Sequence, residues 1–234
     1  MMTDIPRILL FDIDGTLLGS GEKVKILMRR ALEDVFGTAG QVDSYEMSGK
    51  TDWQIVTDLI LQAGIESEVV EDKRSATFAA LTRHMEAAAP TLEMRVLPGV
   101  TELLEQLSDR PEFILGLVTG NVREAVPAKL LAAGIDPAMF RFGAFGSEHP
   151  DRNALPALAL SRLEQSPGVP IPKEKVLVIG DTPRDIECAR FTGLKVFCVA
   201  TGRYDRQVLA EHHPDYLLDD LSETEAVLSI LRQF

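Results

Sequence analysis

The chain of 234 residues is poor in cysteine and in positive charge, and it lacks any long apolar run. It contains 24 Lys and Arg against 36 Asp and Glu, which leaves a formal net charge of −12. This acidic excess argues against nucleic acid and against an anionic membrane surface as partners, because both attract clustered Lys and Arg. No apolar stretch approaches the roughly 20 residues that span a bilayer. The first residues also show no apolar stretch of signal-peptide length.

The two cysteines, Cys188 and Cys198, have neither metal-ligand spacing nor the density of a disulfide framework. We interpret them as small buried hydrophobic residues. The four histidines match no metal-ligand pair and no nucleophile arrangement. These absences predict a protein of a reducing compartment, the cytoplasm.

Short apolar runs rich in β-branched and aromatic residues predict buried strands, and helical patterns lie between them. The strands are expected at residues 8–11, 113–118, 176–179 and 196–199, and the helices at 100–107, 122–133, 153–163 and 184–191. Continuous apolar strands that alternate with helices indicate an α/β fold, a Rossmann-like parallel sheet with helices on both faces. Binding groups in such sheets gather beyond the carboxyl ends of the strands.

One interval breaks this alternation, because residues 23–90 contain no strand-like run. Helical patterns cover residues 23–36, 51–62 and 69–89. We therefore predict an inserted all-helical cap at residues 19–91, within a core formed by residues 1–18 and 92–234. Gly19 and Gly21 are expected to serve as a hinge between the two parts.

Two carboxylates follow the first predicted strand, in the segment Asp12-Ile13-Asp14-Gly15-Thr16. Alternation along a strand directs Asp12 and Asp14 to the same side. Adjacent carboxylates are unfavourable unless a cation neutralises them. An Asx turn that caps a helix would explain one of the two acids but not both.

The segment GDTPRD, residues 180–185, brings further acids to the end of another strand. Asp185 could simply lie in the first turn of the following helix, but Asp181 on the strand end is harder to explain in that way. Several acids on neighbouring strand ends form the oxygen-rich pocket that Mg²⁺ prefers.

Two less specific features follow other strands. Thr119, Gly120 and Asn121 could bind a phosphoryl oxygen through a hydroxyl and backbone N–H groups, although Thr-Gly-Asn is equally typical of an ordinary N-cap turn. Arg152 precedes a predicted helix and could bind a phosphate with two donors, but a solvent-exposed arginine fits the sequence equally well.

Taken together, the DIDGT segment after an apolar strand, the later Thr-Gly-Asn and the GDTPRD segment resemble the haloacid dehalogenase superfamily of phosphohydrolases. The helical insertion resembles the cap of its phosphoglycolate phosphatase and β-phosphoglucomutase branch. This resemblance covers nearly the whole chain. It implies a Mg²⁺-dependent phosphatase that acts on a small phosphorylated metabolite.

The resemblance also implies a role for each residue of the motifs. Asp12 would be the nucleophile that forms an aspartyl-phosphate, and Asp14 the general acid and base. Mg²⁺ would be held by the Asp12 carboxylate, the backbone carbonyl of Asp14 and Asp181, with Asp185 in support. Thr119 and the amides of Gly120 and Asn121 would bind the transferring phosphoryl group.

The chain departs from the family pattern at the third motif, which usually carries a lysine. No lysine lies between Lys129 and Lys173, so we interpret Arg152 as its replacement. In the cap, Lys50 follows Gly49 and resembles a residue that reaches the leaving group; an exposed lysine at a helix N-terminus is the competing interpretation.

Other functions remain as alternatives to a phosphatase. A β-phosphoglucomutase-like phosphotransferase usually carries a histidine in the segment that enters the cap, and residues 17–28 have none. A dehalogenase would not need Asp14. A non-catalytic phosphate-binding module is disfavoured by the intact set of acids, because clustered carboxylates without a metal cost stability. We expect a monomer or a homodimer.

Overall fold

A computed structural model of the protein describes residues 5–19, 23–92, 94–165 and 171–234. Its main sheet has six parallel strands in the order β5-β4-β1-β6-β7-β8, with β1 in an interior position. A separate antiparallel pair is formed by β2 and β3. The strands are β1 Arg7–Phe11, β2 Leu18–Gly19, β3 Arg95–Val96, β4 Phe113–Thr119, β5 Phe142–Phe145, β6 Val176–Gly180, β7 Lys195–Val199 and β8 Tyr216–Leu218.

The strand register decides which loops meet at the carboxyl edge of the sheet. Phe11, the last residue of β1, is aligned with Leu117 of β4 and with Ile179 of β6. The residues that follow these positions therefore leave the sheet at the same edge, on three adjacent strands. This confirms the prediction of a parallel sheet.

Helices cover both faces of the sheet, as predicted. Leu9 and Phe11 of β1 point into one apolar core, and Ile8 and Leu10 point into a second core on the opposite face. The helices are α1 Lys23–Phe36, α2 Asp52–Gln62, α3 Ser67–Asp72, α4 Arg74–Ala88, α5 Val100–Ser108, α6 Val126–Ala132, α7 Leu155–Gln165, α8 Pro183–Thr192, α9 Arg206–Glu211 and α10 Thr224–Gln233. Residues of α5, α6 and α10 join the first core, whereas α7, α8 and α9 contribute to the second.

Four helices, α1 to α4, lie between β2 and β3, and the described part of this interval contains no strand. The expected single helix at residues 69–89 is wrong, because α3 and α4 are separated at Lys73. The backbone of Lys73 leaves helical geometry (φ −90°, ψ 2°), and its ammonium donates a 2.7 Å hydrogen bond to the carbonyl of Val35 in α1.

The chain passes between the sheet and these helices along the β2–β3 ribbon, where Leu18 pairs with Val96 and Gly19 with Arg95. Of the two glycines predicted as a hinge, Gly19 belongs to this ribbon, and Gly21 lies outside the described residues. The exact limits of the cap remain a prediction.

Cys188 and Cys198 are free and buried, which confirms their interpretation as small interior residues. Burial raises the pKa of Cys188 to about 12, so its thiol stays protonated at neutral pH. Within the described ranges, no helix has the length and apolar character needed to cross a bilayer.

Candidate active site

A cavity of about 230 Å³ lies between the carboxyl edge of the sheet and the helical insertion. Asp12, Asp14, Thr119 and Arg152 line it from the sheet side. The insertion contributes apolar and polar side chains. Among the charged side chains of the insertion, Lys25, Lys50 and Asp52 line the cavity.

Asp12 directly follows β1 and is only 4% exposed. Its backbone N–H still donates to Ile179 of β6 at 2.9 Å, so the strand geometry fixes this residue. Burial raises the pKa of Asp12 to about 6, and the neighbouring carboxylates of Asp185 and Asp14 add to this effect, while Arg152 opposes it. The ionised form of this carboxyl group therefore depends strongly on nearby cations for its stability.

Arg152 supplies one such cation. Its Nη2 atom lies 3.2 Å from Oδ1 of Asp12 and 2.5 Å from Oδ1 of Asp185. The side chain is 4% exposed, which rules out the solvent-exposed arginine that the sequence left open. Its Nη1 atom also donates to the carbonyl of Gly49 in the insertion at 3.3 Å.

Asp12, Asp181 and Asp185 form a buried cluster in which one carboxylate oxygen from each lies within 4.8 Å of the others. Burial raises the pKa of Asp181 well above its ordinary value, and Asp185 and Asp12 raise it further. Gly15, with a φ of +83°, passes so close that an added Cβ would lie 2.2 Å from Oδ2 of Asp181. This glycine therefore makes room for the carboxylate as well as for the turn.

The donor set fits a divalent cation. Three carboxylates and one guanidinium leave a formal charge of −2 in a buried space, and such a charge is unfavourable unless it is neutralised. Carboxylate oxygens are suitable ligands for a hard divalent cation such as Mg²⁺.

Asp185 has partners that distinguish it from the other two acids. Its Oδ2 atom accepts from the backbone N–H of Thr182 at 3.0 Å and from the Thr182 hydroxyl at 2.7 Å, in a capping box at the start of α8. Its Oδ1 atom accepts from Arg152. Asp185 thus fixes the loop after β6 and orients Arg152, which fits the supporting role expected of it.

Asp14 lies on the other side of Ile13 and has a separate set of partners. Its Oδ2 atom accepts from Asn121 Nδ2 at 2.8 Å and from Lys129 Nζ at 2.6 Å. Asn121 Nδ2 also donates to the Thr119 hydroxyl at 2.7 Å. The fold thus brings together Asp14 and two of the four residues predicted to bind phosphate, Thr119 and Asn121.

Lys129 is a site residue that the sequence reasoning missed. It belongs to α6 and is only 1% exposed. A signal was present, because Lys129 occupies the apolar face of its helix together with Val126 and Leu130, three residues before and one residue after it. A lysine on such a face requires a buried partner.

The start of α2 contacts the loop after β4, which carries Gly120 and Asn121. The N–H of Asp52 donates to the carbonyl of Gly120 at 2.6 Å, and the Asp52 carboxylate accepts from the N–H of Val122 at 2.8 Å. An added Cβ on Gly120 would lie 2.0 Å from the carbonyl oxygen of Lys50. Asp52 was also missed, since an acid in the first turn of a helix is ordinary by sequence.

Lys50 lines the cavity from the insertion, with a side chain 16% exposed. Its ammonium lies 2.5 Å from the Tyr45 hydroxyl, 4.0 Å from the centre of the Tyr45 ring and 3.5 Å from Asp58 Oδ2. Arg203, from the loop after β7, lines the same cavity and forms an ion pair with Glu46 of the insertion at 2.8 Å. The cavity lining therefore carries two cationic groups, each paired with an acid of the insertion.

Comparison with known proteins gives both a family match and similar proteins that cover nearly the whole chain. A family model described as haloacid dehalogenase-like hydrolase matches residues 9–199. Phosphoglycolate phosphatase from Synechococcus elongatus is 28% identical over 226 residues, which cover 96% of this chain and 99% of that protein.

Solved structures agree on the fold. The crystal structure of a predicted phosphoglycolate phosphatase from Haemophilus somnus superposes with a TM-score of 0.68 and 25% identity, over 97% of this chain and all of that one. The structure of a CbbY mutant from Rhodobacter sphaeroides in complex with xylulose-1,5-bisphosphate gives a TM-score of 0.69 at 19% identity, over 94% and 96% of the two chains.

Proposed function

The chain belongs to the haloacid dehalogenase-like hydrolases, and on this basis we propose that it hydrolyses a small phosphate monoester, with Asp12 as the nucleophile and Asp14 as the general acid and base. The strongest support is that the two carboxylates share a cavity but have different partners. Asp12 lies beside Arg152 within the acidic cluster, whereas Asp14 is bound by Lys129 and Asn121. Two acids in different environments can take different parts in one reaction.

The proposed reaction has two halves. In the first, an oxygen of Asp12 attacks phosphorus, the bond from phosphorus to the ester oxygen breaks, and Asp14 gives its proton to the departing alcohol. In the second, water attacks the aspartyl-phosphate, Asp14 takes a proton from that water, and inorganic phosphate leaves with Asp12 regenerated. Phosphoryl transfer of this kind depends mainly on positioning and charge neutralisation.

We assign the binding of the phosphoryl group to Thr119, Gly120, Asn121 and Arg152. Thr119 and Asn121 adjoin Asp14 through hydrogen bonds. The Nε atom of Arg152 is buried and has no hydrogen-bond partner within the described protein, so this guanidinium retains a donor for a further oxygen. A charged donor beside a nucleophile can stabilise the negative charge of the transition state.

We assign Asp12, Asp181 and the backbone carbonyl of Asp14 to hold Mg²⁺, with Asp185 in support. The buried acidic cluster and its uncompensated charge support a divalent cation here. When bound, Mg²⁺ would neutralise charge on the phosphoryl oxygens.

For the substrate, we propose a small phosphorylated carboxylic acid or a related small ester, and 2-phosphoglycolate is the first one to test. The relatives described above support this choice, as does a cavity of modest volume with Lys25, Lys50 and Arg203 in its lining. Lys50 remains our candidate for contact with the leaving group. The two free thiols support the cytoplasm as the working compartment.

The test is phosphate release from p-nitrophenyl phosphate and 2-phosphoglycolate, with and without Mg²⁺, by the wild type and by Asp12→Asn. We expect the variant to lose at least about 10³-fold in kcat, because a nucleophile has no substitute in this site. Asp109→Asn is the matched control, since Asp109 is exposed at the end of α5. Equal rates for Asp12→Asn and the wild type would rule out the assignment. Conversion of β-glucose 1-phosphate to the 6-phosphate would instead identify a phosphotransferase.

A further inference from the structure

Lys129 and Arg152 are the two cationic side chains less than a tenth exposed among the residues that the structure describes. Arg152 forms ion pairs with Asp12 and Asp185. Lys129 lies in the other half of the site, where its ammonium donates to Asp14 Oδ2 at 2.6 Å and to Asn121 Oδ1 at 2.7 Å. Burying a lysine is unfavourable unless it is paired, so this contact has to be maintained for the helix to pack.

The three side chains form a closed triangle. Lys129 donates to both Asp14 and Asn121, and Asn121 Nδ2 donates to the same Oδ2 atom of Asp14. The lysine therefore determines which way the Asn121 amide faces, since its ammonium requires the amide oxygen. The amide of Asn121 and the ammonium of Lys129 together hold Oδ2 of Asp14 toward these two residues.

The exposures of the two side chains show how Lys129 can act. Asp14 is 36% exposed and lines the cavity, whereas Lys129 is 1% exposed and lies behind it. The hydrogen bonds of Lys129 therefore reach the cavity through Asp14 and Asn121.

We propose that Lys129 is a positioning residue for proton transfer: it holds the Asp14 carboxyl group in the orientation from which that group reaches the leaving oxygen. This rests on the proposed function only in the role given to Asp14. Proton transfer requires the donor within about 3 Å of the acceptor, so a rotated carboxyl group would lose most of its contribution. Within the half-reaction that phosphorylates Asp12, Lys129 acts on the protonation of the leaving oxygen and not on the attack of Asp12 on phosphorus.

The leaving group provides the test. A p-nitrophenolate ion departs without a proton, whereas an alkoxide requires one. We expect Lys129→Met to lower kcat/KM about 100-fold or more for 2-phosphoglycolate and by about tenfold or less for p-nitrophenyl phosphate, since general acid catalysis contributes roughly 10²–10⁴. Equal losses on the two esters would overturn the proposal.

Two further variants separate positioning from loss of structure. Leu130→Ala removes a buried apolar side chain from the same helix, and we expect it to lower Tm while leaving the ratio of the two activities unchanged. In the Asp14→Asn background, Lys129→Met should cause no additional loss on 2-phosphoglycolate, because the group that it positions is already inactive. Additive losses would contradict action through Asp14.

Lys129→Gln keeps an N–H donor on a side chain one bond shorter and should recover part of the activity on 2-phosphoglycolate. It replaces Lys129→Met in these measurements if that variant does not fold. Crystal structures of the wild type and of the variant provide a readout without catalysis. We expect Asp14 and Asn121 to adopt a different or mixed orientation in the variant, and an unchanged arrangement would overturn the proposal. This result stands even if the wild type hydrolyses no ester, in which case the proposed function fails separately.

Discussion

Arg152 and Asp12 form a buried ion pair, with Nη2 of the arginine 3.2 Å from Oδ1 of the aspartate. Both side chains are about 95% buried, and the same guanidinium group contacts Asp185. The arginine is thus joined to the proposed nucleophile and to the loop after β6. Loss of one member of a buried pair leaves the other charge uncompensated.

Replacement of Arg152 should therefore affect both stability and catalysis. We expect Arg152→Ala to lower the free energy of unfolding by about 3–5 kcal/mol and kcat/KM by about 10²–10³-fold. Arg152→Lys should retain more activity than Arg152→Ala, because it keeps a positive charge. Denaturant unfolding and steady-state kinetics measure the two effects. Arg206→Ala is the control, since Arg206 is 53% exposed and forms its ion pair with Asp219, whose side chain is 79% exposed.

Metal binding should stabilise the protein more at high pH than at low pH. Burial raises the pKa of Asp12 to about 6 and that of Asp181 well above its ordinary value, so the metal-free folded state binds more protons than the unfolded chain above about pH 4. The free energy of unfolding should then fall as the pH rises through about 6, where these carboxyl groups must ionise without a partner. Bound Mg²⁺ would take the place of these protons.

Calorimetry with MgCl₂ or with EDTA, at about pH 5 and about pH 8, measures this difference. We expect the increase of Tm on addition of Mg²⁺ to be larger at the higher pH and to decrease in Asp181→Asn. An equal increase at both pH values would contradict the assignment of these carboxylates as ligands.

Contact between α2 and the phosphate-binding loop should depend on the protonation of Asp52. Burial raises the pKa of Asp52 to about 6, although the Lys129 charge and the N–H of Val122 oppose this effect. Protonated Asp52 therefore stabilises the contact between α2 and the loop after β4 at low pH. This stabilisation is lost as the pH rises from about 4 through 6. Asp52→Asn keeps an acceptor for Val122 without a charge, so docking should become independent of pH in this range.

Trp53 provides the measurement, because it is the one tryptophan in the chain, adjoins Asp52 and is 5% exposed. We expect acrylamide quenching of its fluorescence to increase with pH between about 4 and 7 in the wild type and to stay constant in Asp52→Asn. A parallel increase in both proteins would assign the change to another group.

A side chain at Gly120 should disturb the contact between the loop and the helical insertion. The Cβ of Gly120→Ala would lie 2.0 Å from the Lys50 carbonyl oxygen, so one of the two backbone segments must move. We expect kcat/KM to fall at least about tenfold, because small displacements of a phosphate-binding loop are costly. Gly134→Ala is the control: Gly134 has a φ of +76° with nothing near its Cβ position, so it should lose stability but keep activity.

The features that the sequence could predict are those that depend on neighbours along the chain. Apolar runs predicted four strands of the main sheet, and the acids that follow two of them could be read directly. The same local reasoning did not distinguish one helix from two at residues 69–89, where the ammonium of Lys73 donates to a backbone carbonyl of α1.

The assembly of the site depends on contacts between distant residues. The strand order places β4 and β6 on either side of β1, which brings the loops that carry Thr119 and Asp181 next to Asp12. Lys129 meets Asp14 across 115 positions of sequence, and no local pattern specifies that partner.

Neighbouring residues along the chain fix where the strands end, and therefore that acids and a Thr-Gly-Asn turn lie at the carboxyl edge of a parallel sheet. The charge balance at that edge depends on the tertiary fold. The fold turned Arg152 inward toward Asp12 and supplied Lys129 to Asp14, because a buried carboxylate is stable only where the fold brings a cation to it.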